Sequence, residues 1–158
     1  MVWGCITPEG PGQLICIDGC LTAAKYVKIL EEGLLGTLED HHIPIANFVF
    51  QQDNDPKHTA KLTHKWFEEN SVTVLPWPAQ SPDMNIIENV WNYLDHQVHS
   101  HDPSPHNVAE LWEALQEEWE CINPAFIMKL YESMPDRVDA LIAAKGGNTP
   151  LLISYVVS

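Results

Sequence analysis

A chain of 158 residues, 45% of them apolar, is long enough for one domain with a substantial core. No uninterrupted apolar run approaches the roughly 18 residues of a membrane helix, and Met1-Val-Trp-Gly-Cys5 lacks the basic and apolar stretches of a secretion signal, so an intracellular location is expected. Eight Lys and Arg stand against 22 Asp and Glu, a net charge of −14; DNA phosphates are gripped mainly by basic residues, so this domain alone is expected to bind DNA weakly.

Val2 to Thr7 reads as a short strand, Pro8-Glu-Gly-Pro-Gly12 as a turn and Leu14 to Ile17 as the returning strand of a hairpin. Thr22 is a candidate cap for a helix from about Ala23 to Leu38, with Tyr26, Ile29, Leu30 and Leu34 at helical spacing. Ile43 to Phe50 reads as a buried strand, Gln51 to Thr59 as a loop, and His58 to Glu69 as a helix with Leu62, Trp66 and Phe67 on one face. Val72 to Leu75 is a further strand. Pro76, Pro78 and Pro82 then forbid regular structure until Asp83. A helix follows from Ile86, carrying Ile87, Val90, Trp91, Leu94 and Val98. Asn107 can cap a helix to Cys121 whose stripe is Val108, Leu111, Leu115 and Trp119. Pro124 to Met134 and Pro135 to Lys145 complete the helices, Gly146-Gly147 stops the last, and Leu151 to Val157 forms an apolar tail. Strands alternating with helices argue an α/β layer architecture without choosing among such folds.

Several clusters read blandly. Cys5, Cys16, Cys20 and Cys121 form no CxxC pair and read as reduced, partly buried thiols, although Cys16 and Cys20 could share a metal. His96 and His99 lie one helical turn apart, but His101 is off that face and Pro103 follows, so with His106 they read as a solvated helix end and not a zinc site. His41-His42 reads as loop. Trp66, Trp91, Trp112 and Trp119 read as core, and Glu113, Glu117, Glu118 and Glu120 as a solvated helix face.

Asp53 directly follows a strand, and Glu88 sits in the first turn of a helix, with 34 residues between them. Hard divalent cations want oxygen ligands on fixed platforms, and two such ions can drive phosphodiester chemistry. Spacing alone makes these two surface acids. The flanks change that reading: Gln52-Asp-Asn-Asp-Pro-Lys-His-Thr59, then Trp77-Pro-Ala-Gln-Ser-Pro-Asp-Met-Asn85 with Ile87-Glu88 and Trp91. Together they resemble the paired motifs of the DDE catalytic domain of Tc1/mariner-type transposases. Weaker matches run through Val2-Trp-Gly-Cys5, Tyr26, Leu30, Glu118-Trp119, Met134-Pro-Asp-Arg137 and Ala144-Lys-Gly-Gly147, covering almost the whole chain in order.

The resemblance implies an RNase H-like fold, a mixed sheet with flanking helices. Residues 1–147 would form a partial catalytic domain, followed by the tail 148–158. It implies DNA cleavage and strand transfer with Mg²⁺ or Mn²⁺, acting on transposon ends in an assembly of copies, in the nucleus if the source is eukaryotic. Asp53 would be the second catalytic acid and Glu88 the third, both of them metal ligands. Asp55 reads as a helix-entry residue beside the site, and His58 as an orienter of the loop. The family's first catalytic Asp lies on a first strand upstream of the segment resembling Val2-Trp-Gly-Cys5, and Asp18 matches no catalytic position. That strand is central in the fold, so its neighbours are expected to close up, recruit another strand or stay open; the tail Leu151 to Val157 is one candidate filler. Ile86 replaces a usual Pro, and Asp95 stands where Lys is common. The resulting expectation is a transposase fragment whose activity in isolation is lost or severely reduced. The alternatives are a domesticated, non-enzymatic protein-interaction module, and an active enzyme whose first Asp comes from another chain or from upstream residues.

Overall fold

The computed structural model describes residues 1–78 and 84–144. Strands β1 (Val2–Thr7) and β2 (Gly10–Cys16) form an antiparallel hairpin that pairs Val2 with Cys16 and Thr7 with Gly10, with an irregularity between Gly4 and Ile6. Gly10 adopts a φ of 143° at the turn, which a side chain would resist. The Ile17 amide donates to the Met1 carbonyl at 2.8 Å and extends the ladder.

The helix expected over 23–38 is three segments in line: α1 (Ala23–Ile29), a π-helical turn (Leu30–Leu34) and α2 (Leu35–Asp40). Thr22 caps it, accepting from the Lys25 amide at 3.2 Å. The wide turn contains Gly33, and a Cβ there would stand 2.4 Å from the Trp3 ring; the missing side chain lets the hairpin lie against the helix. One turn on, the Thr37 hydroxyl donates to the Gly33 carbonyl at 2.7 Å and accepts from the Gln13 amide at 2.8 Å, so helix and hairpin share a buried polar joint.

The strand expected over Ile43–Phe50 shrinks to β3 (Val49–Phe50). Pro44 cannot donate to a ladder, and Ile45–Asn47 wind into a 3₁₀ turn behind it. Helix α3 (Lys61–Glu69) starts later than the expected His58, and β4 (Thr73–Val74) lies parallel to β3, pairing Val49 with Thr73 and Phe50 with Val74. Helices α4 (Ile87–His99), α5 (Val108–Glu120), α6 (Pro124–Glu132) and α7 (Met134–Ala143) follow. Asn107 caps α5 and Asn123 caps α6 through side-chain oxygens. Among the described residues the strands form two separate two-stranded sheets, β1–β2 and β3–β4. The expected tail Leu151 to Val157 and the end of the last helix lie outside the described residues.

Among the described residues two apolar clusters make the core. One gathers Tyr26, Leu30, Leu34, Phe50, Trp66, Phe67 and Val72; the other gathers Ile86, Val90, Leu94, Trp119, Ile122, Ile127 and Leu130. The hairpin serves both, with Trp3 against the first and Ile6 and Leu14 against the second. Two expected stripes need correction. On α3 the buried face is Thr63, Trp66 and Phe67, while Leu62 is exposed, because the Thr63 hydroxyl turns inward to donate to the Lys57 carbonyl at 2.8 Å. On α5 the buried residues are Ala114 and Trp119; Val108 and Leu111 are exposed. The contact that orients α5 lies at its C-terminal end, where the Trp119 indole donates to the Gly12 carbonyl at 2.7 Å and stacks on Trp91, ring centres 5.4 Å apart. Of the cysteines, Cys5 is buried, and Cys16, Cys20 and Cys121 are exposed.

Candidate active site

The two acids singled out from sequence stand on different platforms. Asp53 follows the end of β3 in the irregular stretch before α3, and Glu88 is the second residue of α4. The fold brings them into electrostatic reach. Partial burial raises the Glu88 carboxyl above its ordinary value, and the nearby Asp53 charge raises it further. Both side chains face solvent. A hydrogen bond from the Gln51 side-chain Nε2 to the Asn85 side-chain oxygen, 3.0 Å, joins the segment before Asp53 to the segment before Glu88. Asn54 adds a second tie, donating to the Trp77 carbonyl at 2.8 Å.

Asp53 is itself held. One of its oxygens, Oδ1, accepts the Asp55 amide at 3.0 Å and lies 2.5 Å from Nδ1 of His58. A carboxylate only accepts, so Nδ1 carries the proton. The His58 ring packs on the buried ring of Tyr26, centroids 4.1 Å apart. The Tyr26 hydroxyl donates to Gln52 Oε1 at 2.7 Å, and Gln52 Nε2 donates to the His58 carbonyl at 3.2 Å. Burial first, and the Asp53 charge second, push the Tyr26 phenol far up, so it stays a donor.

Asp55 points elsewhere. Its carboxylate accepts the Lys57 amide at 2.8 Å and pairs with the Lys57 ammonium at 2.9 Å. Desolvation works against its charge, but the Lys57 hydrogen bonds and the Lys57 and His58 charges outweigh it and hold the carboxyl below its ordinary value. It closes the turn that leads into α3. Asp18 lies at the end of the hairpin, where its carbonyl accepts the Lys25 ammonium at 2.6 Å.

Arg137 of α7 is buried and reaches the same end of α4. Its Nη2 donates to the Asn89 side-chain oxygen at 3.1 Å, next to Glu88, and its Nε donates to the Ser133 hydroxyl at 3.0 Å. Periodicity gives no signal for such a residue; a lone Arg inside an apolar helix pattern is the trace it leaves in sequence. In the His cluster at the end of α4, His96, His99 and His106 are exposed as the solvated reading expects, and His101 differs from it. His101 Nε2 meets Glu118 at 2.7 Å with both side chains largely covered, and so clamps the α4–α5 connection onto α5. His41 bonds the buried Thr7 hydroxyl at 2.7 Å.

Among the described residues no group of three or more His, Cys, Asp or Glu side chains is gathered closely enough to hold a metal ion. Asp53 and Glu88 are a pair. Their hard oxygen donors and the unfavourable proximity of their charges fit a divalent cation such as Mg²⁺ or Mn²⁺, which commonly uses only one or two protein carboxylates.

Residues 1–111 match the DDE superfamily endonuclease family. The chain is 38% identical to the transposable element Tc1 transposase of Caenorhabditis elegans over 148 residues, spanning 92% of this chain and 52% of that protein. It is equally similar, 38% over 152 residues with the same coverage, to the Tcb2 transposase of Caenorhabditis briggsae. The chain thus spans about half the length of these relatives. In three dimensions it superposes on the catalytic domain of Mos1 transposase, solved with raltegravir and Mn, with a TM-score of 0.81 at 20% identity, over 93% of this chain and 76% of that one. The fold is therefore RNase H-like, a mixed α/β arrangement with flanking helices, and the chain, similar in sequence to Tc1-type transposases, belongs to the DDE superfamily endonucleases.

Proposed function

We propose that this chain is the catalytic portion of a Tc1-like transposase and that Asp53 and Glu88 are its metal-binding acids for cleavage and strand transfer at transposon-end DNA. The observation that carries this reading is the electrostatic meeting of the two acids across the Gln51–Asn85 tie. A Mg²⁺ or Mn²⁺ ion held there supplies activation of water or a 3′-hydroxyl and stabilisation of the leaving oxygen. The chain's own groups fix the geometry. His58 and the Asp55 amide orient Asp53, and the first turn of α4 carries Glu88.

Two carboxylates hold a divalent ion less tightly than three. Residues 1–158 alone are therefore proposed to bind it weakly and to cut little, with a further acid from outside the described residues needed for full activity. DNA grip is proposed to come largely from elsewhere in a longer protein or from an assembly of copies, given the net charge of −14. In a eukaryotic cell such chemistry belongs in the nucleus. The acidity also favours a second reading, a non-enzymatic protein-interaction module derived from a transposase. Mn²⁺-dependent nicking of a transposon-end duplex separates the two. Nicking that is lost in both Asp53→Asn and Glu88→Gln supports the enzyme, even at a low rate. Nicking unchanged in both variants contradicts the assignment, and a chain that neither binds metal nor nicks supports the module.

A further inference from the structure

The proposed role of Asp53 leaves the surrounding network unexplained. Gln52, His58 and Tyr26 form a closed circuit. Tyr26 donates to Gln52 at 2.7 Å, Gln52 donates to the His58 carbonyl at 3.2 Å, and the Tyr26 ring packs on the His58 ring with centroids 4.1 Å apart. Tyr26 is 1% exposed and belongs to the first core cluster, so it is an immobile base for that circuit. The circuit reaches Asp53 through His58 Nδ1, directed at Asp53 Oδ1 at 2.5 Å. Asp53 is well exposed, its side chain 58% accessible, and its Oδ1 is held by two donors, the Asp55 amide at 3.0 Å and the His58 ring. An exposed metal ligand that keeps one orientation needs a neighbour that donates to one of its oxygens and leaves the other available.

Resting on the reading of Asp53 as a metal ligand, we propose that His58, backed by Tyr26 and Gln52, is a positioning residue. It occupies Oδ1 of Asp53 and presents Oδ2 to the divalent ion. His58 is not itself a ligand in this arrangement, because the nitrogen nearest the site carries the proton given to Asp53. Tyr26 sets the ring plane, and Gln52 fixes the backbone from which the ring projects.

The test has two arms on the full chain. In metal-free protein above the imidazole titration range, ¹⁵N-resolved NMR of the histidine rings reads the tautomer. His58 is expected in the Nδ1–H form, and Asp53→Ala is expected to release it. The second arm titrates Mn²⁺ by the loss of its free EPR signal. His58→Phe keeps a ring on Tyr26 but removes the donor, and is expected to weaken Mn²⁺ binding about 10-fold or more. His58→Asn places an amide donor near the position of Nδ1 and is expected to recover most of that loss. A partial loss of binding is expected for Tyr26→Phe, which keeps the ring and frees Gln52. An Nε2–H tautomer, or His58→Phe binding Mn²⁺ as well as the unaltered chain, overturns the positioning role. Mn²⁺ binding that survives Asp53→Ala overturns the ligand assignment instead. If the unaltered chain binds no Mn²⁺, the ligand assignment fails while the tautomer arm still decides whether His58 holds Asp53.

Discussion

Burial and the Asp53 charge raise the Glu88 carboxyl above its ordinary value of 4.5, so the folded chain holds that proton more tightly than the unfolded chain does. The unfolded state then binds fewer protons between the two values, and stability falls as pH climbs from the ordinary value through the raised one. Glu88→Gln removes this penalty. In metal-free protein at pH 7 its melting temperature is expected to equal or slightly exceed that of the unaltered chain, with the gap closing below about pH 4. The effect is small because Glu88 is exposed to solvent screening. A Glu88→Gln chain several degrees less stable at pH 7 would show that Glu88 makes a stabilising contact and is not under repulsion. Arg137 behaves oppositely. It is 4% exposed and donates to the half-buried Asn89 and Ser133, so Arg137→Met removes these bonds at a cost of about 1–3 kcal/mol, measurable by urea unfolding. The motif in the flanks of Asp53 and Glu88, on which their proposed role rests, was legible from sequence. The Gln51–Asn85 tie and the Tyr26–His58 packing were not, since a hydrogen bond between polar residues 34 positions apart leaves no periodic trace.

At the scale of elements, the hairpin and the first helical stretch are the most tightly matched pair. Gly33 opens a notch for Trp3, and Gly12 lies so close to Thr37 that an added Cβ would meet its Cγ2 at 2.3 Å. Gly33→Ala gains helix propensity yet forces Trp3 aside; overpacking of that kind costs about 1–3 kcal/mol. Chemical denaturation should show a net loss, and an unchanged midpoint would mean that Trp3 relocates freely. Residues at helical spacing were read correctly where the whole stripe is core, as with Tyr26, Ile29, Leu30 and Leu34, all of them buried. The reading failed where a polar residue took the inward position. Thr63 displaced Leu62 because its hydroxyl satisfies the Lys57 carbonyl. Periodicity also gave no warning of the π turn, since Leu30 and Leu34 keep helical spacing through it. The short β3 follows from Pro44, whose position near the strand start was visible but whose 3₁₀ turn was not.

Among the described residues one hairpin bridges two apolar clusters, and the candidate site lies between β3 and α4. Gly4 sits at the bridge, where an added Cβ would lie 2.9 Å from Trp119 and 3.0 Å from Trp91. The α/β order and RNase H-like architecture were legible from strand and helix alternation together with the motif. The division of the described strands into β1–β2 and β3–β4 was not, because pairing partners carry no label in a short strand. With eight Lys and Arg against 22 Asp and Glu, the chain has few groups able to displace the counterions condensed on DNA phosphates. At about 0.15 M salt the chain alone is expected to bind duplex DNA more weakly than about 0.1 mM, with a shallow salt slope; fluorescence anisotropy tests this, and micromolar affinity with a steep slope would contradict it. Thermal unfolding of the full chain with and without millimolar Mn²⁺, beside Asp53→Ala and Glu88→Ala, tests the central claim most directly. An ion that binds only the folded state raises its melting temperature. If Asp53 and Glu88 hold the ion, Mn²⁺ raises the melting temperature of the unaltered chain and of neither variant; a melting temperature indifferent to Mn²⁺, or a shift that persists without either carboxylate, means that they do not hold it.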